Sequence, residues 1–129
     1  MENPNPSDTA TLYVVATPLG NLGDMVPRAV EVLQTVDVIA AEDTRRSRPL
    51  LQHFGIDTAL VAYHDHSDAR TVERLMGTLR GGGSLALISD AGTPLISDPG
   101  YRLVDAATAE GIRVVPIPGA SALIAALSV

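Results

Sequence analysis

Short apolar runs alternate along most of the chain with segments whose apolar residues recur at helical spacing. Runs of four to eight apolar residues rich in Val, Ile and Leu are typical of buried strands. Five such strands are predicted, at 12–16, 37–41, 58–63, 84–88 and 112–115.

The intervening segments carry helix start and stop signals. Pro27 is expected to open the first helix, because proline suits a first helical position. Ser47 is expected to cap the second helix and Gly55 to end it. A fourth helix should end at Gly111, and a last one should begin near Ala120. The third helix has its apolar residues at i, i+3, i+4 and i+7, which are Val72, Leu75, Met76 and Leu79.

Strands that alternate with helices, with inner strands apolar on both faces, predict an α/β fold. Its architecture is an open five-stranded parallel sheet with helices on both faces. Ligands of such sheets bind beyond the carboxyl ends of the strands. The loops expected at that edge are polar or rich in Gly and Pro, whereas the opposite connections are short. This asymmetry predicts a binding site formed by the loops 17–21, 42–45, 63–66, 89–100 and 118–121.

Composition excludes several classes of protein. The chain has no Cys, which rules out disulfides and thiol nucleophiles, and all nine cations are Arg, which rules out a catalytic or phosphate-binding Lys. The net charge of −6 argues against a freestanding protein that coats nucleic acid. Residues 1–10 are expected to form a flexible tail rather than a signal peptide. Since 120–129 is too short to span a membrane, we expect a cytoplasmic protein.

Several familiar sites are poorly supported. The turn at 18–23 lacks the G-x-G-x-x-G order of dinucleotide folds, and no G-x-S-x-G motif is present. His64 and His66 have a spacing that can chelate a metal, but a solvent-facing loop pair is favoured, so no metal site is predicted. A receiver domain has the same alternation of elements, but it needs a Lys after the fifth strand, and this chain has no Lys.

Six motifs together resemble one family. In order and spacing they closely resemble the small-subunit ribosomal RNA methyltransferase I branch of the tetrapyrrole methylase superfamily. The resemblance covers nearly everything from residue 11 onward. The motifs are the strand that begins at Thr11, "ATPLGNLGD" (16–24), "AAEDTRRS" (40–47), "YHDH" (63–66), "SDAGTPLISDPGYRLV" (89–104) and "PIPGASALIAALS" (116–128).

The resemblance implies an S-adenosylmethionine-dependent enzyme that 2′-O-methylates a cytidine ribose in 16S rRNA. Its substrate is then 16S rRNA or the small ribosomal subunit, and its members are typically homodimers. They have two α/β domains with the cofactor in the cleft between them. Residues 11–129 match only the N-terminal domain, and the apolar end of the chain also suggests a piece of something longer. The chain alone is therefore expected to be weakly active or inactive.

The resemblance also places cofactor contacts on this sequence. Other branches carry Gly-Gly-Asp in the turn after the fourth strand. Here Thr93 replaces that Asp, and Asp90 lies three residues earlier, so either could hold the cofactor. The full set of matched positions is Pro18, Asp90, Ala91, Gly92, Thr93, Ile96, Ser121 and Ala122.

Methyl transfer to a ribose hydroxyl is helped by a general base that removes the proton. Glu42 or Asp43 is the first candidate, since both follow the second strand, and His64 is the second candidate. Adjacent carboxylates at this position could instead cap the next helix. Three nearby cations are candidate RNA-phosphate contacts, with a solvated helix start as the alternative: Arg45, Arg46 and Arg48.

Two other functions stay open. A tetrapyrrole such as a precorrin is the substrate of other branches of the superfamily, although "EDTRRS" and "YHDH" favour the RNA branch. A non-catalytic nucleotide-binding or partner-docking domain is the alternative from another class.

Overall fold

The computed structural model describes residues 10–17, 23, 25–63, 69–88 and 98–117, and only the backbone within 98–101. In these ranges strands and helices alternate strictly, which confirms the predicted α/β class. The strands are β1 (Thr11–Val15), β2 (Val38–Ala41), β3 (Ala59–Ala62), β4 (Ser84–Ile88) and β5 (Arg113–Ile117). The helices are α1 (Pro27–Thr35), α2 (Thr44–His53), α3 (Ala69–Arg80) and α4 (Asp98–Ala109).

The strands form one sheet in the order β3-β2-β4-β1-β5, and every hydrogen-bonded pair is parallel. The pairing is in register at the carboxyl end, so the last residues of all five strands form one row. Across the sheet that row reads Ala62, Ala41, Ile88, Val15 and Ile117.

Each face of the sheet has its own apolar core. The chain moves one way across the sheet through β1, β2 and β3, and then returns through β4 to β5. Right-handed crossovers therefore place α1 and α2 on one face and α3 and α4 on the other. The packing agrees: Leu33 and Leu51 contact the face that carries Ile39, whereas Leu79 and Leu103 belong to the opposite cluster.

Two boundaries differ by more than one residue from those expected. Asp43, not Ser47, caps α2, so the helix begins at Thr44 and Ser47 lies inside it. The prediction was wrong because a capping residue must have an extended backbone just before the first helical turn. Asp43, after the end of β2, has that conformation. Strand β5 also continues through Pro116. Proline is tolerated there because β5 is an edge strand, where a missing N–H costs no ladder bond.

The amino edge of the sheet is closed by polar pairs. The Ser84 backbone N–H donates to Asp37 Oδ2 at 2.8 Å, and the Asp37 N–H donates back to the Ser84 carbonyl at 3.1 Å. At the end of α3, Arg80 donates to both carboxylate oxygens of Glu110, at 2.8 and 2.7 Å, and also contacts Glu73. These contacts join the starts of β2 and β4 and tie α3 to the turn before β5.

We expect Glu110→Gln to destabilise the fold at neutral pH but not in acid. Hydrogen bonding by Arg80 holds the pKa of Glu110 below its ordinary value. A lowered folded-state pKa gives stability that is present above the unfolded pKa and is lost as pH falls through the folded pKa. Urea unfolding of wild type and variant at several pH values should show a difference that shrinks in that window.

The matched control is Glu31→Gln on α1, because in the described part of the chain Glu31 has no ion-pair partner. A Glu110→Gln deficit that stayed constant into acid would show that the carboxylate charge is not its source.

Candidate active site

The carboxyl edge gathers polar residues from separate parts of the chain. Because the strand ends are in register, Glu42 follows Ala41 beside the end of β4, and Tyr63 follows the neighbouring β3. Strands β2 and β4 are adjacent, yet their following helices lie on opposite faces. Such a reversal leaves a crevice between the two strand ends, which is where ligands bind in open α/β sheets. Glu42 lies at this crevice.

Asp43 has a structural role at this edge. Its Oδ1 accepts a hydrogen bond from the Arg45 backbone N–H at 2.9 Å and lies 3.7 Å from Arg45 Nε. Its carbonyl also accepts from the N–H groups of Arg46 and Ser47, at 3.2 and 3.0 Å. These bonds satisfy orphan donors of the first helical turn. Asp43 therefore caps α2, which is the structural alternative to a catalytic role.

Glu42 is the neighbouring carboxylate without such a role. Its side chain is half-buried, and among the described residues its carboxylate has neither a hydrogen-bond donor nor an ion-pair partner. A carboxylate of this kind is an acceptor-only group with all its lone pairs available. Of the two adjacent acids, Glu42 is thus the one free to meet a ligand.

The three candidate RNA contacts lie on the first two turns of α2. Arg45, Arg46 and Arg48 are all exposed, and the Arg45 side chain is 93% accessible. The structure thus brings these cations to the same edge as Glu42. A guanidinium held at the surface can grip a phosphate through two parallel hydrogen bonds.

Tyr63 begins the loop 63–66 that was predicted to form part of the site, and the structure places its side chain in the core. It is 2% exposed and packs into the core beneath α3 and α4. Burial raises the pKa of its phenol, and the Arg102 charge and a backbone hydrogen bond at Leu103 oppose that rise only in part. Tyr63 is therefore an uncharged core residue at the end of β3.

Ser47 is the second residue with an unexpected place. It is 3% exposed, and among the described residues its Oγ has no hydrogen-bond partner. Leu51, one helical turn later, packs against the sheet, so Ser47 lies on the same sheet-facing side but nearer the carboxyl edge. An unpaired buried hydroxyl is unusual and marks a place where the fold has not been optimised for stability.

All eight predicted cofactor contacts, and one catalytic candidate, lie outside the described residues. They are Pro18, His64, Asp90, Ala91, Gly92, Thr93, Ile96, Ser121 and Ala122. They stay predictions, as does the last helix near Ala120.

The described ranges contain neither a metal-binding cluster nor a membrane-spanning helix. Over those residues no group of three or more His, Cys, Asp or Glu side chains could hold a metal ion. None of the helices there is long and apolar enough to cross a membrane.

Comparison with known proteins decides the family. The family model described as "Tetrapyrrole (Corrin/Porphyrin) Methylases" matches residues 11–129. The chain belongs to this family. Its members use S-adenosylmethionine as the methyl donor.

The relatives of this tetrapyrrole methylase chain narrow the branch. It is 62% identical over 123 residues to "Ribosomal RNA small subunit methyltransferase I" of Xylella fastidiosa (strain Temecula1), covering 95% of the chain and 45% of that relative. The protein of the same name from Pseudomonas aeruginosa is 62% identical over 118 residues, covering 92% and 42%. The predicted resemblance is confirmed. The chain spans less than half the length of these curated relatives.

A solved structure gives independent support for the fold. A cobalt precorrin-4 methyltransferase superposes with a TM-score of 0.75 at 18% identity, covering 98% of this chain and 52% of that one. At this identity the likeness concerns architecture alone.

The described residues fit a sulfonium cofactor at the carboxyl edge. The cofactor is cationic at sulfur, and it also carries hydroxyl and ammonium donors that need acceptors. The half-buried Glu42 carboxylate is such an acceptor and has no partner in the described ranges. A cationic group at this position therefore meets a complementary charge.

We expect Ser47→Ala to stabilise the fold by about 1 kcal/mol. The substitution removes a buried hydroxyl that has no hydrogen bond, and alanine has the higher helix propensity. Urea unfolding measures the change. Ser47→Thr is the matched control: it retains the hydroxyl and should not stabilise. Destabilisation by Ser47→Ala would show that the hydroxyl has a partner in the folded protein.

Proposed function

We propose that this chain is part of an enzyme that methylates the 2′-hydroxyl of a cytidine ribose in 16S rRNA with S-adenosylmethionine. The observation that carries the proposal is the 62% identity to proteins named ribosomal RNA small subunit methyltransferase I. The arrangement at the carboxyl edge supports the proposal. Glu42, whose carboxylate has no partner among the described residues, offers a base, and three exposed arginines nearby offer phosphate contacts.

Glu42 is the proposed general base. When bound, S-adenosylmethionine supplies an electrophilic methyl group on a positively charged sulfur. In this proposal Glu42 would accept the ribose hydroxyl proton on a carboxylate oxygen while the methyl group is transferred to that hydroxyl oxygen. A ribose hydroxyl is a poor nucleophile at neutral pH, so this assistance is worth about 10²–10⁴ in rate. Asp43 is second because capping occupies it, and His64 is third.

Arg45, Arg46 and Arg48 are proposed to hold RNA phosphates. Their exposure leaves their guanidinium groups accessible to phosphates, whose contacts position a nucleic acid without reading its sequence. Holding the backbone fixes the ribose relative to Glu42, and such positioning contributes to catalysis by itself.

The cofactor contacts proposed from the resemblance complete the assignment. Residues 11–129 act in this proposal as the N-terminal domain, preceded by a tail over 1–10. The remainder of the relatives' length supplies a second domain that closes over the cofactor. The chain alone is then weakly active or inactive, and the active form is a cytoplasmic homodimer that meets 16S rRNA or the small subunit. The cofactor would contact Pro18, Asp90, Ala91, Gly92, Thr93, Ile96, Ser121 and Ala122.

Methylation of a tetrapyrrole is the second candidate. It is favoured by the family description and by the likeness to the precorrin methyltransferase fold. Identity supports the RNA substrate, because this chain is 18% identical to the fold neighbour and 62% identical to the named ribosomal RNA methyltransferases. Calorimetry with S-adenosylhomocysteine tests the third reading: a partner-docking domain would show no cofactor binding.

We expect Glu42→Gln to lower methyl transfer to small ribosomal subunits by about 10²–10⁴, because it removes the base while preserving size. Asp43→Asn is the matched control, since asparagine caps a helix as well as aspartate does. It should retain both stability and most activity. Measured in the natural full-length protein, full activity of Glu42→Gln would refute the base assignment, and full activity of both variants would exclude both adjacent carboxylates as the base.

We expect Arg45→Gln to weaken RNA binding while cofactor affinity is unchanged. Glutamine removes the charge without placing a second carboxylate beside Asp43, as Arg45→Glu would do. Filter binding over a salt series should show a slope of log affinity against log salt that is shallower by about 0.7–0.9 for one lost phosphate contact. A fall in S-adenosylhomocysteine affinity instead would show that Arg45 serves the cofactor.

A further inference from the structure

Arginines are concentrated at the carboxyl edge of the sheet. Each of α1, α2 and α3 has arginine as its second residue: Arg28, Arg45 and Arg70. Helices of a parallel α/β sheet start at the carboxyl edge, so these side chains lie near the candidate site. Counting the first two turns of each helix, seven of the nine arginines in the chain lie toward the carboxyl edge, and all seven are exposed. They are Arg28, Arg45, Arg46, Arg48, Arg70, Arg74 and Arg102.

Helix stability does not explain this placement. The start of a helix carries a partial positive charge, which disfavours cations and favours acids. The first turns of α1, α2 and α3 nevertheless contain no acidic residue. Three helices thus carry a cation, and no acid, where the helix dipole favours an acid. Departures of this kind are expected at functional sites.

Ion pairing separates Arg70 and Arg74 from the arginine at the end of α3. Arg80, at the opposite edge, is held by Glu73 and Glu110. By contrast, Arg70 and Arg74 have no carboxylate within ion-pair distance anywhere in the described ranges. Their nearest acidic neighbour along the helix, Glu73, is engaged by Arg80. Among the described residues, no acidic side chain therefore neutralises the charge of Arg70 and Arg74.

The arginines divide between the two faces of the sheet. Those of α1 and α2 lie on one face, and those of α3 and α4 lie on the other. We propose that Arg70, Arg74 and Arg102 form a second phosphate-binding surface, so that the substrate RNA crosses the carboxyl edge and contacts both faces. This inference rests on the proposed function, which uses only the arginines of α2.

The chemistry of this second surface suits RNA. Guanidinium groups bind phosphate oxygens in pairs, which the ammonium of lysine cannot do. Beside Arg102, a groove of about 410 Å³ between α3 and α4 is lined by Ala69, Val72 and Ala106 and by two acids, Glu73 and Asp105. Glu73 is paired with Arg80, and the Arg102 guanidinium is the group in this lining on which an unpaired base can stack. The net charge of −6 repels RNA elsewhere and restricts contact to the places where arginine is concentrated.

The test is the double variant Arg70→Gln/Arg74→Gln in the natural full-length protein. Glutamine removes both charges and keeps helix propensity nearly unchanged. Affinity for small-subunit RNA is measured by filter binding over a salt series, S-adenosylhomocysteine affinity by calorimetry, and folding by thermal unfolding. The matched control is Arg113→Gln, because Arg113 is also exposed but begins β5 at the opposite edge.

We expect the double variant to bind RNA about tenfold more weakly or worse, with a salt slope shallower by about 1–2, as two lost phosphate contacts require. Cofactor affinity and thermal unfolding should be unchanged, and Arg113→Gln should bind like wild type. Equal weakening by Arg113→Gln would overturn the proposal, since the effect would then be one of overall charge. A parallel loss of cofactor affinity would also overturn it.

Two further outcomes separate this inference from the proposed function. If Arg45→Gln weakens RNA binding and the double variant does not, the RNA lies on one face and only the second surface is refuted. If the wild-type protein binds no small-subunit RNA, the proposed function fails and the second surface fails with it.

Discussion

The rest of the structure depends on the in-register parallel pairing of the five strands. Hydrogen bonds between β-strands bring the last residue of each into one row, from Ala62 at one side to Ile117 at the other. Every residue that follows the row is thereby placed at a single edge. Glu42 and Tyr63 are 21 positions apart in sequence, yet they leave neighbouring strands side by side. The candidate chemistry is thus a consequence of register rather than of any one motif.

Stability and function are separated between the two edges of the sheet. At the amino edge the polar groups satisfy one another, as Asp37 does with Ser84 and Arg80 with Glu110. At the carboxyl edge, and within the described ranges, Glu42 and Arg70 have no such partner. In the described ranges the Asp43–Arg45 pair is an exception at the carboxyl edge, where Asp43 caps α2.

Adjacent residues at the end of β2 have different roles for a geometric reason. Asp43 has the extended backbone that lets a short side chain reach the amides of the next turn, so it caps α2. Glu42, one residue earlier, precedes the helix and points to no amide that it must satisfy among those described. Sequence reasoning grouped the two as one acid pair, because side-chain direction is not encoded in spacing. The pair divides into a structural acid and a candidate base.

Local apolar periodicity was enough to predict the α/β class and all five strands within a few residues. The linked motifs were enough to predict the family. Strand β4 was predicted with both ends correct. Only the tertiary structure decided the strand order, the cap of α2, the passage of β5 through Pro116 and the burial of Ser47. These depend on which strand lies at an edge and which helix face meets the sheet, and such contacts join residues far apart in the chain. Local pattern therefore predicted the elements, and long-range packing decided how they meet.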